Sequence, residues 1–244
     1  MSVLGNNLLA QYYAQNQFKY IDNPELWLEA DSWGTSVWTN KGNGGYDLTC
    51  IASNTGSKDG DAIVTDNKNI AYGIMQNVFG AASFTLEAVL YADSSLLSTS
   101  NGGWFATSRT SSAAQPNSVQ IAFGNAGSFF IEGWDSHGNR ISENVPRLDI
   151  VTSSIAYYSA GYDAINNVLF KQFNNQVISW TFNDYACLID KFMIGNSGNF
   201  SNNLTSAGNF PFLGKIYSIR VYQRALSEAE RANNMRRDKA RFNF

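Results

Sequence analysis

Histidine is nearly missing from this sequence: His137 stands alone, inside "WDSHGN". A zinc site of the His-Glu-x-x-His kind therefore cannot be built, and a Ser-His-Asp relay would have its base on a turn open to water. His137 reads as a turn residue. Cysteine is almost as scarce, and Cys50 and Cys187 lie so far apart that they could meet only through the fold. In a chain that shows no leader, two such thiols read as core packing and not as a disulfide framework. Long apolar runs are missing too. No stretch approaches the roughly 20 apolar residues of a membrane span. The opening "MSVLGNNLLAQYYAQNQ" has no positive start, continuous apolar stretch or small-residue cleavage site, which a secretory signal would show. The expectation is a soluble protein made in the cytoplasm, in which the sequons at Asn199 and Asn203 carry no weight. Charge is sparse at 15%, with 20 acidic against 17 basic residues and a formal net charge of −3. With no basic cluster before the last eighteen residues, nucleic acid is not an expected partner. The absence of a repeat of about 20 to 50 residues argues against a propeller or a solenoid.

What is present is β-forming. A chain of 244 residues with 44% apolar content can bury a sizeable core and suits one large all-β domain. Short runs rich in branched and aromatic residues recur: "LWLEAD" (26–31), "SVWTN" (36–40), "DLTCIA" (47–52), "SFTLEAVLYA" (83–92), "SVQIAFG" (118–124), "SFFIEG" (128–133), "VLFKQF" (168–173), "VISWTF" (177–182) and "DKFMIG" (190–195). The 28 Asn and 20 Gly fill the gaps between them, as turns with positive φ require. "DSHGN" (135–139), "FNNQ" (173–176) and "GNAGS" (124–128) read as hairpin tips, and "GNGGYD" (42–47) reads as a hairpin because it lacks the Lys and following helix of a phosphate loop. Phe84, Leu86, Ala88 and Leu90 alternate with Thr85, Glu87 and Val89, so one face of that strand is greasier. Phe129, Phe130 and Ile131 form a run suited to burial on both sides.

Two helices flank the strands. Leu4, Leu8 and Tyr12, with Leu9 and Tyr13 beside them, make an apolar stripe that must be buried on the sandwich or in another subunit. Residues 1–22 are accordingly read as an anchoring arm, helical or extended, and 23–244 as the main domain. At the other end, Ser227 and Glu230 match a capping box, Glu228 and Glu230 suit the positive helix start, and Arg236, Arg237, Lys239 and Arg241 suit its negative end. A helix over 227–240 follows.

The segment "FLGKIYSIRVYQRALSEAERANN" carries more than a helix signal. Phe212, Gly214, Ile216, Arg220, Val221, Tyr222, Arg224, Ala225, Leu226 and Ser227 resemble the closing strand and terminal corner of laminin-G-like jelly-roll modules of the concanavalin A-like lectin/glucanase superfamily. "PELWLEADSWGTSVWTNKGNGGYDLTC", "SFTLEAVL" and "AGYDAINNVLFKQFNNQVISW" are similar, in the right order, to the opening strand and turn, the central strand and the middle hairpin of such modules. The resemblance spans about residues 23 to 240. It implies an all-β fold: a two-sheet antiparallel jelly-roll sandwich with a short N-terminal arm and a C-terminal helix.

Glucanases of that superfamily carry Glu, Asp and Glu at alternate positions of one strand. Here Glu29 and Asp31 are followed by Trp33, and Glu87 by Val89 and Tyr91, so the third carboxylate is missing. No catalytic residue is expected, and Glu29 and Asp31 read as strand-end turn residues. The resemblance leaves calcium open; Asp59 and Asp61 in "KDGDA" lack EF-hand spacing, and no metal or other cofactor is predicted. A glycan needs less: a flat aromatic ring and nearby polar groups. Trp27, Trp38 and Trp180 lie within strand runs and read as core, whereas Trp33, Trp104 and Trp134, with Asp135, sit at loop or strand edges and are the candidate carbohydrate contacts. The function expected first is a non-catalytic binding or structural module of a phage or virion, assembled in the host cytoplasm, held in an oligomer by its arm and facing a cell-surface glycan. A soluble lectin or adhesin, cytoplasmic or exported by an unconventional route, is the alternative, and a glucanase comes last.

Overall fold

The computed structural model describes residues 24–50, 56–65, 72–74, 83–97, 101–107, 119–124, 128–133, 137–139, 148–149, 153–181, 192–197 and 210–244. In chain order these form β1 (Leu26–Glu29), β2 (Val37–Trp38), β3 (Leu48–Cys50), β4 (Ser57–Asp59), β5 (Ala62–Val64), β6 (Tyr72–Ile74) and β7 (Phe84–Ala92). Then come β8 (Asn101–Thr107), β9 (Val119–Gly124), β10 (Ser128–Gly133), β11 (Leu148–Asp149), β12 (Ile155–Asp163), β13 (Val168–Phe173) and β14 (Gln176–Thr181). The last are β15 (Phe192–Ile194), β16 (Asn196–Ser197), β17 (Phe210–Pro211), β18 (Gly214–Tyr222) and the helix α1 (Glu228–Phe242). The arm proposed for residues 1–22 lies outside the described residues, as does Cys187. Cys50 is half-buried against the core.

The strands make two sheets. The first runs β14-β13-β12-β7-β18-β5-β4, with β1 joined to the other half of the β18 edge. The second runs β11-β10-β9-β8-β15-β6-β3-β2, with β17 against β8 and β16 against β17. Pairing is antiparallel apart from the contact of Pro211 with Gly103. The chain crosses repeatedly between sheets, as a jelly-roll sandwich requires.

Between the sheets, alternate residues point inward. Leu26 and Leu28 of β1, Phe84, Leu86, Ala88 and Leu90 of β7, and Tyr158 and Tyr162 of β12 meet Val119, Ile121, Phe123, Phe129 and Ile131 of the second sheet, all buried. Each fully buried side chain of this size stabilises the fold by about 1.5–3 kcal/mol. The Tyr158 ring joins the layers: it stands edge-on to Phe123 at 5.2 Å and to Phe129 at 5.4 Å. Trp38 is fully buried and donates from Nε1 to the Glu29 carbonyl at 2.9 Å. Trp27 and Trp180 are only half-buried, the former beneath the Lys41 ammonium, which sits 5.3 Å from its ring.

The other face of β7 is not a solvent face. Thr85, Glu87 and Val89 are fully buried, because α1 lies across them. The corner before the helix holds this packing. Thr85 Oγ1 donates to the Arg224 carbonyl at 3.0 Å and accepts from the Leu226 amide at 2.8 Å. Ser227 then caps α1: its hydroxyl accepts from the Glu230 amide, and the Glu230 carboxylate accepts from the Ser227 amide at 2.8 Å, the capping box expected. Arg224 donates to the same carboxylate at 2.7 Å and, with Ser227, holds its pKa down at about 2.

Removing the cap is a modest test of this corner. Ser227→Ala is expected to cost about 1 kcal/mol at neutral pH, read from urea denaturation. Because the Glu230 carboxyl lies below its ordinary 4.5 in the folded protein, its contribution is complete above that value. It is lost as pH falls toward about 2, so the wild-type advantage over Ser227→Ala should shrink in acid.

Candidate functional site

On the outer face of the first sheet, α1 covers a polar cluster. Arg220 of β18 donates from Nε to Glu87 at 3.0 Å and pairs through its guanidinium fork with Asp238 of α1. Glu87 also accepts from the Tyr157 hydroxyl and from Asn234 Nδ2 at 2.9 Å, and Asn234 reaches the Tyr222 hydroxyl at 3.2 Å. Arg220, Glu87 and Asp238 are each at most 1% exposed. Burial raises the Glu87 pKa, and the Arg220 charge and the Tyr157 hydrogen bond do not fully offset it. The cluster fixes where the helix sits.

A second group of charges joins the helix end to β1. Glu29 ends β1 and leads into the 3₁₀ turn, the strand-end place expected for it, and it is 2% exposed because Arg241 and Lys41 both reach it from outside the strand. Burial works against its charge, and the Arg241 and Lys41 contacts more than compensate, so its pKa is lowered. Asp31, in the 3₁₀ turn Ala30–Ser32, shares Lys41 at 2.9 Å. Both cation partners of Glu29 would have to leave before it could act on a sugar.

Beyond the end of α1 the same face opens into a cleft of about 480 Å³. Its floor is one row across four neighbouring strands: Ile155 of β12 opposite Tyr91 of β7, Tyr91 opposite Lys215 of β18, and Lys215 opposite Val64 of β5. All four alternate with core residues, so they point away from the sandwich. Register slips between Ile216 and Ser218, a bulge that re-aims Tyr217. Its ring packs on Phe242, the last residue of α1, at 5.4 Å and forms the cleft wall on that side. Asp93, Ser153 and Ser154 close the opposite side.

Electrostatics within the cleft are settled by short-range partners. Lys215 Nζ donates to Asp59 at 2.8 Å, which raises its pKa. Asp93 accepts from the Ser95 amide at 2.8 Å; its hydrogen bonds with Ser95 keep its carboxyl below the usual range. Burial pushes the Tyr217 phenol up, so it remains a neutral donor. The volume falls within the range of ligand clefts. Two phenol rings, two hydroxyls, a carboxylate and an ammonium line it, which is enough to face the C–H side of a sugar ring and to pair with its hydroxyls.

Of the residues singled out in the sequence, Trp33 and Trp104 are not part of this cleft. Trp33 is half-buried against the core, bridged to Trp38, with its Nε1 buried and without a hydrogen-bond partner among the described residues. Trp104 is the extra residue of a bulge in β8, between the Gly103–Ala122 and Phe105–Ile121 pairs. Four strand spacings, about 19 Å, separate β8 from the edge strand β2 beside Trp33. Trp134 and Asp135 lie outside the described residues. His137 is an exposed turn residue, as expected.

No protein-family description matches the sequence, and no curated protein does. Solved structures do match. The CBM40 of the Ruminococcus gnavus IT-sialidase, determined with alpha2,3 sialyllactose bound, aligns at a TM-score of 0.56 and 16% identity, over 73% of this chain and 97% of that one. The receptor binding domain of botulinum neurotoxin type G aligns at 0.58 and 10% identity, over 89% of this chain and 52% of that one. The chain has the fold of these β-sandwich modules. The NanB sialidase of Streptococcus pneumoniae matches at 0.53 and 16% identity over 69% of this chain, which corresponds to only 26% of the sialidase. At such identities the likeness is one of architecture, which the jelly-roll reading of the sequence anticipated.

Proposed function

We propose that this protein is a non-catalytic glycan-binding module and that the cleft between Tyr91 and Tyr217 is where it binds. The observation that carries the reading is an open cleft whose floor is the cross-strand row with Tyr91 and Lys215, flanked by Tyr217 and Asp93, on a sandwich of carbohydrate-binding architecture. The bound sialyllactose of one structural neighbour supports the glycan class. The engagement of Glu29 by two cations and the burial of Glu87 under α1 support a role without bond cleavage. A setting in a virion rests on the N-terminal arm alone, which lies outside the described residues, and the comparisons lend it no support.

Titration calorimetry against a panel of oligosaccharides tests the proposal. Tyr217→Ala and Tyr91→Ala should each weaken binding by tenfold or more while leaving the thermal midpoint within a few degrees of wild type, since both side chains are partly exposed. A protein that binds no glycan, or one whose binding ignores both substitutions, would end it.

A further inference from the structure

We infer that the cleft selects uncharged glycans and rejects those that present a carboxylate. This deepens the proposed function and rests on it. Charge decides the matter. Among the described residues, the lining holds one cation, Lys215, and one acid, Asp93; Asp59 sits on the Lys215 ammonium, and Asp61 acts on the Tyr217 phenol. Lys58 neighbours Asp59 in β4, but strand alternation sends it to the other face. Lys41 and Arg241 are committed to Glu29 and Asp31.

The one ammonium in the described lining is therefore already answered at 2.8 Å, and the Ser95 contacts hold Asp93 ionised. A sugar carboxylate entering this cleft meets the like charge of Asp93, a mismatch that is disfavoured. Sugar hydroxyls meet the opposite situation. Asp93 accepts from them, Ser153 and Ser154 both donate and accept, and the tyrosine rings take the C–H face. The Lys215–Asp59 pair is the point at which selectivity can be altered. Its side chains are 35% and 62% exposed, so Asp59 can be replaced without opening a buried site.

The experiment compares matched probes: lactose with 3′-sialyllactose, and cellotetraose and chitotetraose with oligosaccharides of the same length ending in glucuronate. Calorimetry is run on the full chain at low and at physiological ionic strength. A neutral probe should bind at least tenfold tighter than its acidic counterpart at low salt, with the gap narrowing as salt screens the field. Asp59→Asn, which releases Lys215, and Asp93→Asn, which removes the repelling carboxylate, should each reduce that gap to about threefold or less. Preferential binding of an acidic probe that is lost in Tyr217→Ala would overturn the inference while leaving the glycan-binding reading intact. So would a neutral preference unchanged in both Asn variants. Absence of Tyr217-dependent binding to any probe would instead remove the proposed function, and this inference with it.

Discussion

Replacing Arg220 with methionine is expected to destabilise the protein by about 3–5 kcal/mol, the usual cost of taking one member out of a buried ion cluster. Glu87 and Asp238 would be left facing each other without the guanidinium between them, in a layer where neither is measurably exposed. A domain of ordinary stability has about 5–15 kcal/mol in total, so much of the variant should be unfolded at 37 °C. The cause is uncompensated charge and not lost packing, and this gives the result a signature. Neutralising both acids as well, in Arg220→Met/Glu87→Gln/Asp238→Asn, should recover at least half of the loss. Acid should also help the single variant, because Glu87, whose pKa burial already raises, sheds its charge as pH falls. Urea denaturation at pH 7 and pH 5 measures both effects. A single variant within 1 kcal/mol of wild type would show that the cluster does not hold the helix.

Gly214→Ala is the second large effect. Gly214 opens β18 at φ +148°, a conformation that side-chain-bearing residues rarely adopt. A methyl group there would lie 1.9 Å from the Tyr91 carbonyl oxygen. That oxygen cannot retreat without loosening the Tyr91–Lys215 register, and the Gly214 carbonyl is itself held by the Thr65 amide at 2.9 Å and its hydroxyl at 3.0 Å. Strain and broken pairing together should cost about 3 kcal/mol. Gly60→Ala provides the control: φ is also positive, at +58°, but nothing lies within 4 Å, so the cost should stay near 1 kcal/mol. Because Gly214 lines the cleft beside Tyr91, glycan binding should fail in Gly214→Ala and persist in Gly60→Ala.

The sequence disclosed strands where hydrophobicity and turn chemistry coincide. Ser128–Gly133 and Val168–Phe173 occupy the expected bounds, and Asn174, at φ +48°, makes the expected tight turn to β14. It concealed the first half of β12, the nine-residue neighbour of β7, whose second half falls in the expected middle hairpin. In "IAYYSAGYD" the outward residues Ser159 and Gly161 carry no apolar signal and yet are buried, and Tyr157 is buried with its hydroxyl on Glu87. The same blindness hid the character of Glu87, which alternation marks as solvent-facing. The cleft was illegible for a related reason. Tyr91, Lys215 and Val64 become neighbours only through cross-strand register, and Tyr217 turns toward them only because of a bulge. Tryptophans at loop edges were the visible aromatics; tyrosines within strands were the ones the topology gathered.

Glu87 and Thr85 take partners from residues 220–234, and Tyr157 joins them through its hydroxyl on Glu87. During synthesis, then, the first sheet cannot close until that stretch has left the ribosome, and every earlier nascent intermediate carries an ionisable carboxylate on an unroofed central strand. The dry outer layer of this sheet is therefore closed by contacts of high sequence separation, which join Glu87 to Arg220 and Asn234, 133 and 147 positions later in the chain.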